Sequence, residues 1–357
     1  MNERLKKRIQ DRKNDGTHRQ LNQFKSSIDF FSNDYLGLSK DSISEIVPSK
    51  GSTGSRLLSG NSDLAEKCER QLAVFYESES ALIFNSGYDA NIGLISTVAL
   101  RGDTILYDEY IHASSRDGIR LSFANSISFK HNDIDDLKEK LKGLQGSIYV
   151  LVESLYSMGG DMAPLTSIQR VCAEFSACLI VDEAHGCGVF GTEGKGIAHA
   201  KALHKDLFCR IVTFGKAYGY HGAAVLVSSD LRDYLLNFCR SFIYTTSLPD
   251  HTYKIIESRV YCTNIHNKQK ALHENIYLFR STLKNVSFIS EENSPIQVIE
   301  FASKEDLMKC ISALAQLDIY TKPILPPTVP KGSYRMRLCF HSFNTKEEIQ
   351  LLISCFL

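Results

Sequence analysis

The chain carries no net charge: 41 basic side chains stand against 41 acidic ones. No global field therefore favours nucleic acid or an anionic membrane surface, and any bound anion must be held by local groups. No run of eighteen apolar residues occurs, and the charged Met1–Arg8 start is followed by no apolar stretch of signal-peptide type. The expectation is a cytoplasmic protein with neither a membrane nor a nucleic-acid partner. Ten cysteines are present without one C-x-x-C pair. Cys68, Cys172, Cys178, Cys239, Cys339 and Cys355 stand singly in apolar segments, as small buried hydrophobes do in a reducing compartment. The eleven histidines form no H-E-x-x-H or clustered pattern, so no metal site is expected.

What is present is the texture of a large α/β protein. At 357 residues, with 43% apolar and 23% charged side chains, the chain can fill more than one core. Short apolar runs at Ala81–Phe84, Thr104–Tyr107, Ile148–Val152, Cys178–Val181, Arg210–Thr213 and Ala223–Val227 predict strands. Helical spacing from Ser62 to Tyr76, and over Asp89–Leu100, Asp133–Lys142, Ser167–Phe175 and Asp230–Cys239, predicts helices between most of them. This alternation calls for a mostly parallel sheet flanked by helices. From about residue 249 a long polar helical stretch to roughly 285 precedes strands at 296–301 and 334–340 and helices near 304–317 and 345–357, the pattern of a smaller α+β domain. The expected division is an N-terminal helix and arm over 1–38, a large domain over 39–248 and a small C-terminal domain over 249–357.

Most of the chemistry lies in two places. The apolar run from Cys178 ends in Asp182, with His185 three positions on, and Lys216 follows the run that ends at Thr213. In open α/β sheets ligands bind beyond the carboxyl ends of strands, where both Asp182 and Lys216 fall. A buried Asp can keep a pyridine nitrogen protonated, a His can hydrogen-bond a phenolic oxygen, and a Lys can form a Schiff base. Together they suit pyridoxal phosphate. Singly, each has a duller reading: a strand-end Asp usually caps a helix, and a lone Lys usually lies in solvent. Asp182-Glu-Ala-His185 also spells an acidic helicase motif, but that needs a G-x-x-x-x-G-K-[ST] loop, which the chain lacks. Gly215, Ala217 and Gly219 around Lys216 favour an inward-facing amine.

Weaker signals point to the same ligand. Asn85-Ser86-Gly87-Tyr88 joins a strand to a helix and can offer backbone N–H groups to a phosphate. His112 can stack on an aromatic ring, and Ser157 can hydrogen-bond a ring substituent. Arg335 and Arg337 share one side of a strand, where one of them can clamp a carboxylate as a bidentate pair.

These residues, in order and over nearly the whole chain, resemble the α-oxoamine synthases, a branch of the fold-type I (aspartate aminotransferase-like) pyridoxal phosphate enzymes. The likeness runs through Ser32-Asn-Asp-Tyr-Leu-Gly-Leu-Ser39, Gly54-Ser-Arg-Leu-Leu-Ser-Gly60, Asn85–Tyr88, His112-Ala-Ser114, His131-Asn-Asp133, Asp182–Gly186, Thr213–Lys216, Phe242–Pro249 and Pro326–Pro330. It implies that Lys216 is the Schiff-base lysine, Asp182 the pyridinium partner and His112 the stacking ring, with His185 and Ser157 on the phenolic oxygen. Ser86, Gly87, Tyr88 and Thr213 would surround the phosphate, with Thr245 or Thr246 reaching it from the other subunit of a homodimer. Arg337 would hold the substrate carboxylate. The implied reaction is a decarboxylative condensation of an amino acid with an acyl thioester, carried on coenzyme A or an acyl carrier protein. L-Alanine with a pimeloyl thioester is the favoured pair, and glycine or serine with another acyl group the alternative. Four positions depart from the family pattern: Ala65 for His, Gly159 for Asp, Cys187 for Thr and Leu325 for Arg.

Overall fold

The computed structural model describes residues 3–15, 18, 28–42, 51–326 and 332–356. Most of the expected connection after the first helix, and positions 327–330 of the proline-rich stretch, lie outside them. In chain order the strands are β1 (Ile28–Asp29), β2 (Ser80–Phe84), β3 (Thr104–Asp108), β4 (Asn125–Phe129), β5 (Ile148–Glu153) and β6 (Cys178–Asp182). They continue as β7 (Cys209–Thr213), β8 (Ala223–Val227), β9 (Ile296–Phe301), β10 (Ile319–Tyr320), β11 (Lys322–Ile324) and β12 (Tyr334–Cys339).

Seven strands form the main sheet in the order β2-β8-β7-β6-β5-β3-β4. All its pairings are parallel except the two that β8 makes with β2 and β7. Strands β5, β7 and β8 are buried along their whole length, which is why they read as unbroken apolar runs: helices cover both faces. Strand alternation sorts their side chains into two layers. Val150, Val152, Val181 and Val212 share a core with helices Asp63–Tyr76, Ile134–Leu141 and Leu165–Glu174. Tyr149, Leu151, Ile180 and Ile211 share the opposite one with helices Gly87–Val98, Ala113–Leu121 and Ser229–Phe238.

A second, antiparallel sheet, β11-β12-β9, lies in the C-terminal part, and β1 pairs with β10. Its Ile296, Val298, Met336 and Leu338 belong to the same apolar cluster as Val181 and Val212, so the C-terminal part packs directly against one layer of the main sheet.

Beyond the short strands β1, β10 and β11 and the one-turn helices Ile197–Ala200 and Arg240–Ile243, which no pattern announced, three longer elements differ from the sequence expectation. The edge strand β4 was not foreseen, because Asn-Ser-Ile-Ser-Phe is largely exposed and lacks the apolar run of a central strand. Helix Ala113–Leu121 was also missed, its only cap being the His112 side chain. The long helical stretch after 249 divides into Asp250–Val260 and Ile265–Thr282, so that each piece turns its own apolar face to the core. All ten cysteines are free thiols, six of them buried. Among the described residues no helix is long and apolar enough to cross a membrane.

Candidate active site

Parallel strands carry their carboxyl ends to a common edge, and here those ends are chemically loaded. Asp108, Glu153, Asp182 and Thr213 are the last residues of β3, β5, β6 and β7. Beyond them opens a cavity of about 270 Å³ whose lining includes Ser86, Gly87, Tyr88, Asn91, His112, Glu153, Asp182, His185, Thr213 and Lys216.

Asp182 is buried, its Oδ1 accepting from the Ala184 N–H at 2.9 Å and its Oδ2 from Asn91 Nδ2 at 2.8 Å. Asn91 Nδ2 also donates to Ser114 Oγ at 3.1 Å, and that oxygen lies 2.7 Å from His112 Nδ1. The Ser114 N–H donates to the same ring nitrogen at 3.2 Å, so Nδ1 is the acceptor and the His112 ring carries its proton on Nε2. One polar chain thus runs from the carboxylate to the imidazole.

At the other end, Ser86 caps helix Gly87–Val98 by accepting from the Asp89 N–H at 3.1 Å. The N–H groups of Gly87 and Tyr88 open the helix and have no partner within it, which makes an anion-binding start. Gly87 is required by space: a Cβ there would lie 2.7 Å from Thr213 Cγ2.

Surroundings tune the titratable groups. Burial pushes the Lys216 amine below its ordinary pKa, against the pull of Asp182 and Glu153. His112 is lowered by desolvation and by Lys216, although Asp182 opposes this. Burial, then the charges of Lys216 and Arg337, hold His185 well below the ordinary value, so it is a neutral ring. The Tyr35 hydroxyl sits 2.7 Å from His185 Nδ1 and 3.2 Å from Asn33 Oδ1. Asn33 Oδ1 can only accept, so the single hydroxyl proton goes to it and the Tyr35 oxygen is left to accept from His185 Nδ1. Glu153 is register partner of Asp182, and burial with that neighbouring charge pushes it up to about 8. Its Oε1 has no hydrogen-bond partner in the protein.

Of the residues singled out from sequence, Ser86, Gly87, Tyr88, His112, Asp182, His185, Thr213 and Lys216 converge on this cavity. Ser157, Arg337, Thr245 and Thr246 are not in its lining. Arg337 is buried just behind it, donating from Nη2 to Asn33 Oδ1 at 3.0 Å and from Nε to the Ser157 carbonyl at 2.7 Å. Arg335, by contrast, turns to Ser333 and Glu300. Thr245 and the Thr246 carbonyl accept from Asn85 Nδ2, next to the Ser86 cap. Sequence reasoning missed Asn91, Ser114, Glu153, Tyr35 and Asn33. Asn33, Tyr35 and Ser114 lay within motifs that carry the resemblance without being given a role, and Glu153 left a signal of its own, an acid ending a wholly apolar run.

An acid, an imidazole and a recessed amine meeting at the carboxyl edge of a mostly parallel sheet define a pyridoxal phosphate enzyme of fold type I. The chain belongs to the aminotransferase class I and II family, whose model matches residues 25–356. It is 39% identical to an 8-amino-7-oxononanoate synthase of Emericella nidulans, over 92% of this chain and 88% of that one. A serine palmitoyltransferase of S. paucimobilis, solved with a pyridoxal phosphate adduct, superposes with a TM-score of 0.87 at 27% identity, covering 99% of this chain and 96% of the other. The 8-amino-7-oxononanoate synthase of Francisella tularensis superposes with a TM-score of 0.78 at 28% identity, covering 92% and 96%. The chain is a pyridoxal phosphate-dependent acyltransferase.

Proposed function

We propose that the chain condenses L-alanine with a pimeloyl thioester to give 8-amino-7-oxononanoate, carbon dioxide and the free thiol carrier. A bond forms between the alanine Cα and the acyl carbonyl carbon as the thiolate leaves. The alanine carboxylate then departs as carbon dioxide, and Cα is reprotonated. The observation that carries the pyridoxal phosphate chemistry is the convergence of Asp182, His185, His112 and Lys216 on one cavity. The 39% identity to an 8-amino-7-oxononanoate synthase supports the choice of substrates.

The residues present fit the cofactor. When bound, pyridoxal phosphate supplies an electron sink for negative charge developing at the amino-acid Cα. Lys216 would hold it covalently, and its amine would move the Cα proton; an amine whose pKa is lowered by burial is suited to that task. Asp182 holds a proton on the pyridine nitrogen. His185 and Ser157 would contact the phenolic oxygen, and His112 would stack on the ring. Ser86, Gly87, Tyr88 and Thr213 take the phosphate at the helix start. Arg337 binds the substrate carboxylate, with Asn33 and the Ser157 carbonyl fixing its guanidinium. The working unit is a homodimer in which Thr245 or Thr246 of one subunit reaches the phosphate of the other.

Lys216→Ala should abolish the cofactor's visible absorbance and all turnover; a variant keeping both refutes the assignment. The likeness to serine palmitoyltransferase keeps a second reading in play, glycine or serine with another acyl group. Assaying alanine, glycine and serine against pimeloyl, acetyl and palmitoyl thioesters decides between them. A preference for any pair other than alanine and pimeloyl overturns the proposed substrates.

A further inference from the structure

Away from the cavity, residues far apart in sequence bring three ligand atoms together. Glu77 is the C-cap of helix Asp63–Tyr76, held in the left-handed region at φ 55°. His199 lies on the short helix Ile197–Ala200, and His204 follows in the next turn. One ligand atom from each lies within 4.8 Å of the other two. The imidazoles stack with centroids 4.4 Å apart.

A second observation concerns His204 itself. Its side chain is 9% exposed, yet neither ring nitrogen has a hydrogen-bond partner. Its Nε2 stands 3.4 Å from Glu77 Oε2, and His199 Nε2 is 3.0 Å from Glu77 Oε1. An imidazole largely out of solvent, with Nδ1 unpartnered and Nε2 met only by the long contact to Glu77, costs free energy unless something outside the chain satisfies it.

We propose that Glu77, His199 and His204 bind one divalent transition-metal ion, with zinc the best match to two imidazoles and one carboxylate. Zinc accepts this donor set with water completing a tetrahedron, and imidazole selects it over magnesium or calcium. Lys195 competes for the carboxylate: its Nζ donates to Glu77 Oε1 at 3.0 Å and lies 3.4 Å from Glu193 Oε2. The ion takes Glu77 Oε2, which Lys195 leaves free, and Lys195 turns to Glu193. The metal then staples the end of helix Asp63–Tyr76 to the segment after Gly196.

The test is calorimetric titration of tag-free, chelator-dialysed holoprotein with zinc chloride at pH 7.5. One saturable site per chain is expected, with a raised thermal midpoint. Glu77→Gln and His199→Ala should each weaken it at least tenfold, and the His199→Ala/His204→Ala pair should lose it, with cofactor absorbance reporting that the variants are folded. If the pair fails to fold, the two single variants decide. Lys195→Gln should tighten binding, and pH 5.5 should weaken it as the imidazoles protonate. Absence of a saturable site, or undiminished binding in Glu77→Gln and His199→Ala, overturns the proposal.

Discussion

Gly87 and Thr213 show how closely single atoms are fitted at the phosphate end of the cavity. A methyl group added at Gly87 would meet Thr213 Cγ2 at 2.7 Å, so one of the two elements must give way. Overpacking of this kind costs about 1–3 kcal/mol. Gly87→Ala should weaken cofactor binding about tenfold, a factor worth about 1.4 kcal/mol. Adding Thr213→Ser, which removes the obstructing methyl but keeps the hydroxyl, should restore most of it. Titration of apoprotein with pyridoxal phosphate measures both, and a double variant no better than Gly87→Ala would show that the contact is not the cause. At this scale the sequence was most readable where a residue interrupts a pattern. Asp182 ends an apolar run, Gly87 sits at a strand-to-helix turn, and Lys216 is set among small residues. Asn91 and Ser114 interrupt nothing: polar residues within helices are common, and their place in the Asp182–His112 chain is created only when two helices pack.

At the scale of elements, two ionic clusters, one buried and one partly buried, hold the site's loops. Glu183, fully buried, takes Arg210 Nη2 at 2.7 Å and Nε at 3.0 Å on one oxygen and the Ala198 N–H at 2.9 Å on the other. It therefore fixes the turn that presents Asp182 and His185. Breaking a buried pair strands its partner's charge, at about 3–5 kcal/mol. Glu183→Gln should lose stability on that order in urea unfolding, whereas Glu183→Leu with Arg210→Met should recover much of it. A change within about 0.5 kcal/mol for the single variant, the usual spread of surface substitutions, would contradict this role.

The second cluster is a latch between the ends of β3 and β4 and the loop before residue 162. His131 Nδ1 lies 2.9 Å from Asp108 and Nε2 2.7 Å from Asp161, with Tyr110 and Tyr156 packed against the ring. Burial works against its charge, but the bonds to Asp108 and Asp161 prevail and raise its pKa to about 9. A pKa raised on folding contributes stability that is complete below the unfolded value of about 6.5 and is lost as pH climbs through about 9. The stability difference between wild type and His131→Gln should therefore shrink between pH 6 and pH 10, read from urea midpoints. A difference independent of pH would mean that His131 is not charged in the fold. The His131-Asn-Asp133 motif was visible in the sequence, but its two carboxylate partners were not, since Asp161 joins through tertiary contact alone. The edge strand beside it was equally unforeseen, because only Ile127 and Phe129 of its five residues are apolar and the other three are exposed serines and asparagine.

On the scale of the whole molecule, the exposed apolar side chains bear on assembly. Leu58 is 82% exposed and Tyr244 74%. Scattered exposed hydrophobes are ordinary, but these two flank joined segments. Ser247 donates its N–H to the Gly54 carbonyl at 3.0 Å, tying the 51–60 loop to the 244–247 segment, and Asn85 ties that segment to the cavity rim. Tyr88, itself partly exposed, lines the cavity beside them. A second chain covering this face would bury Leu58 and Tyr244 and close the phosphate end of the site from outside. The holoprotein should therefore sediment at twice its 40.1 kDa chain mass. Leu58→Asp with Tyr244→Asp should shift it towards monomer and lower cofactor affinity in parallel, since the same surface serves both. A wild-type protein that sediments as a monomer at micromolar concentration while retaining full cofactor and turnover would rule this arrangement out. So would a monomeric double variant whose cofactor affinity is unchanged, because the phosphate end would then be complete within one chain.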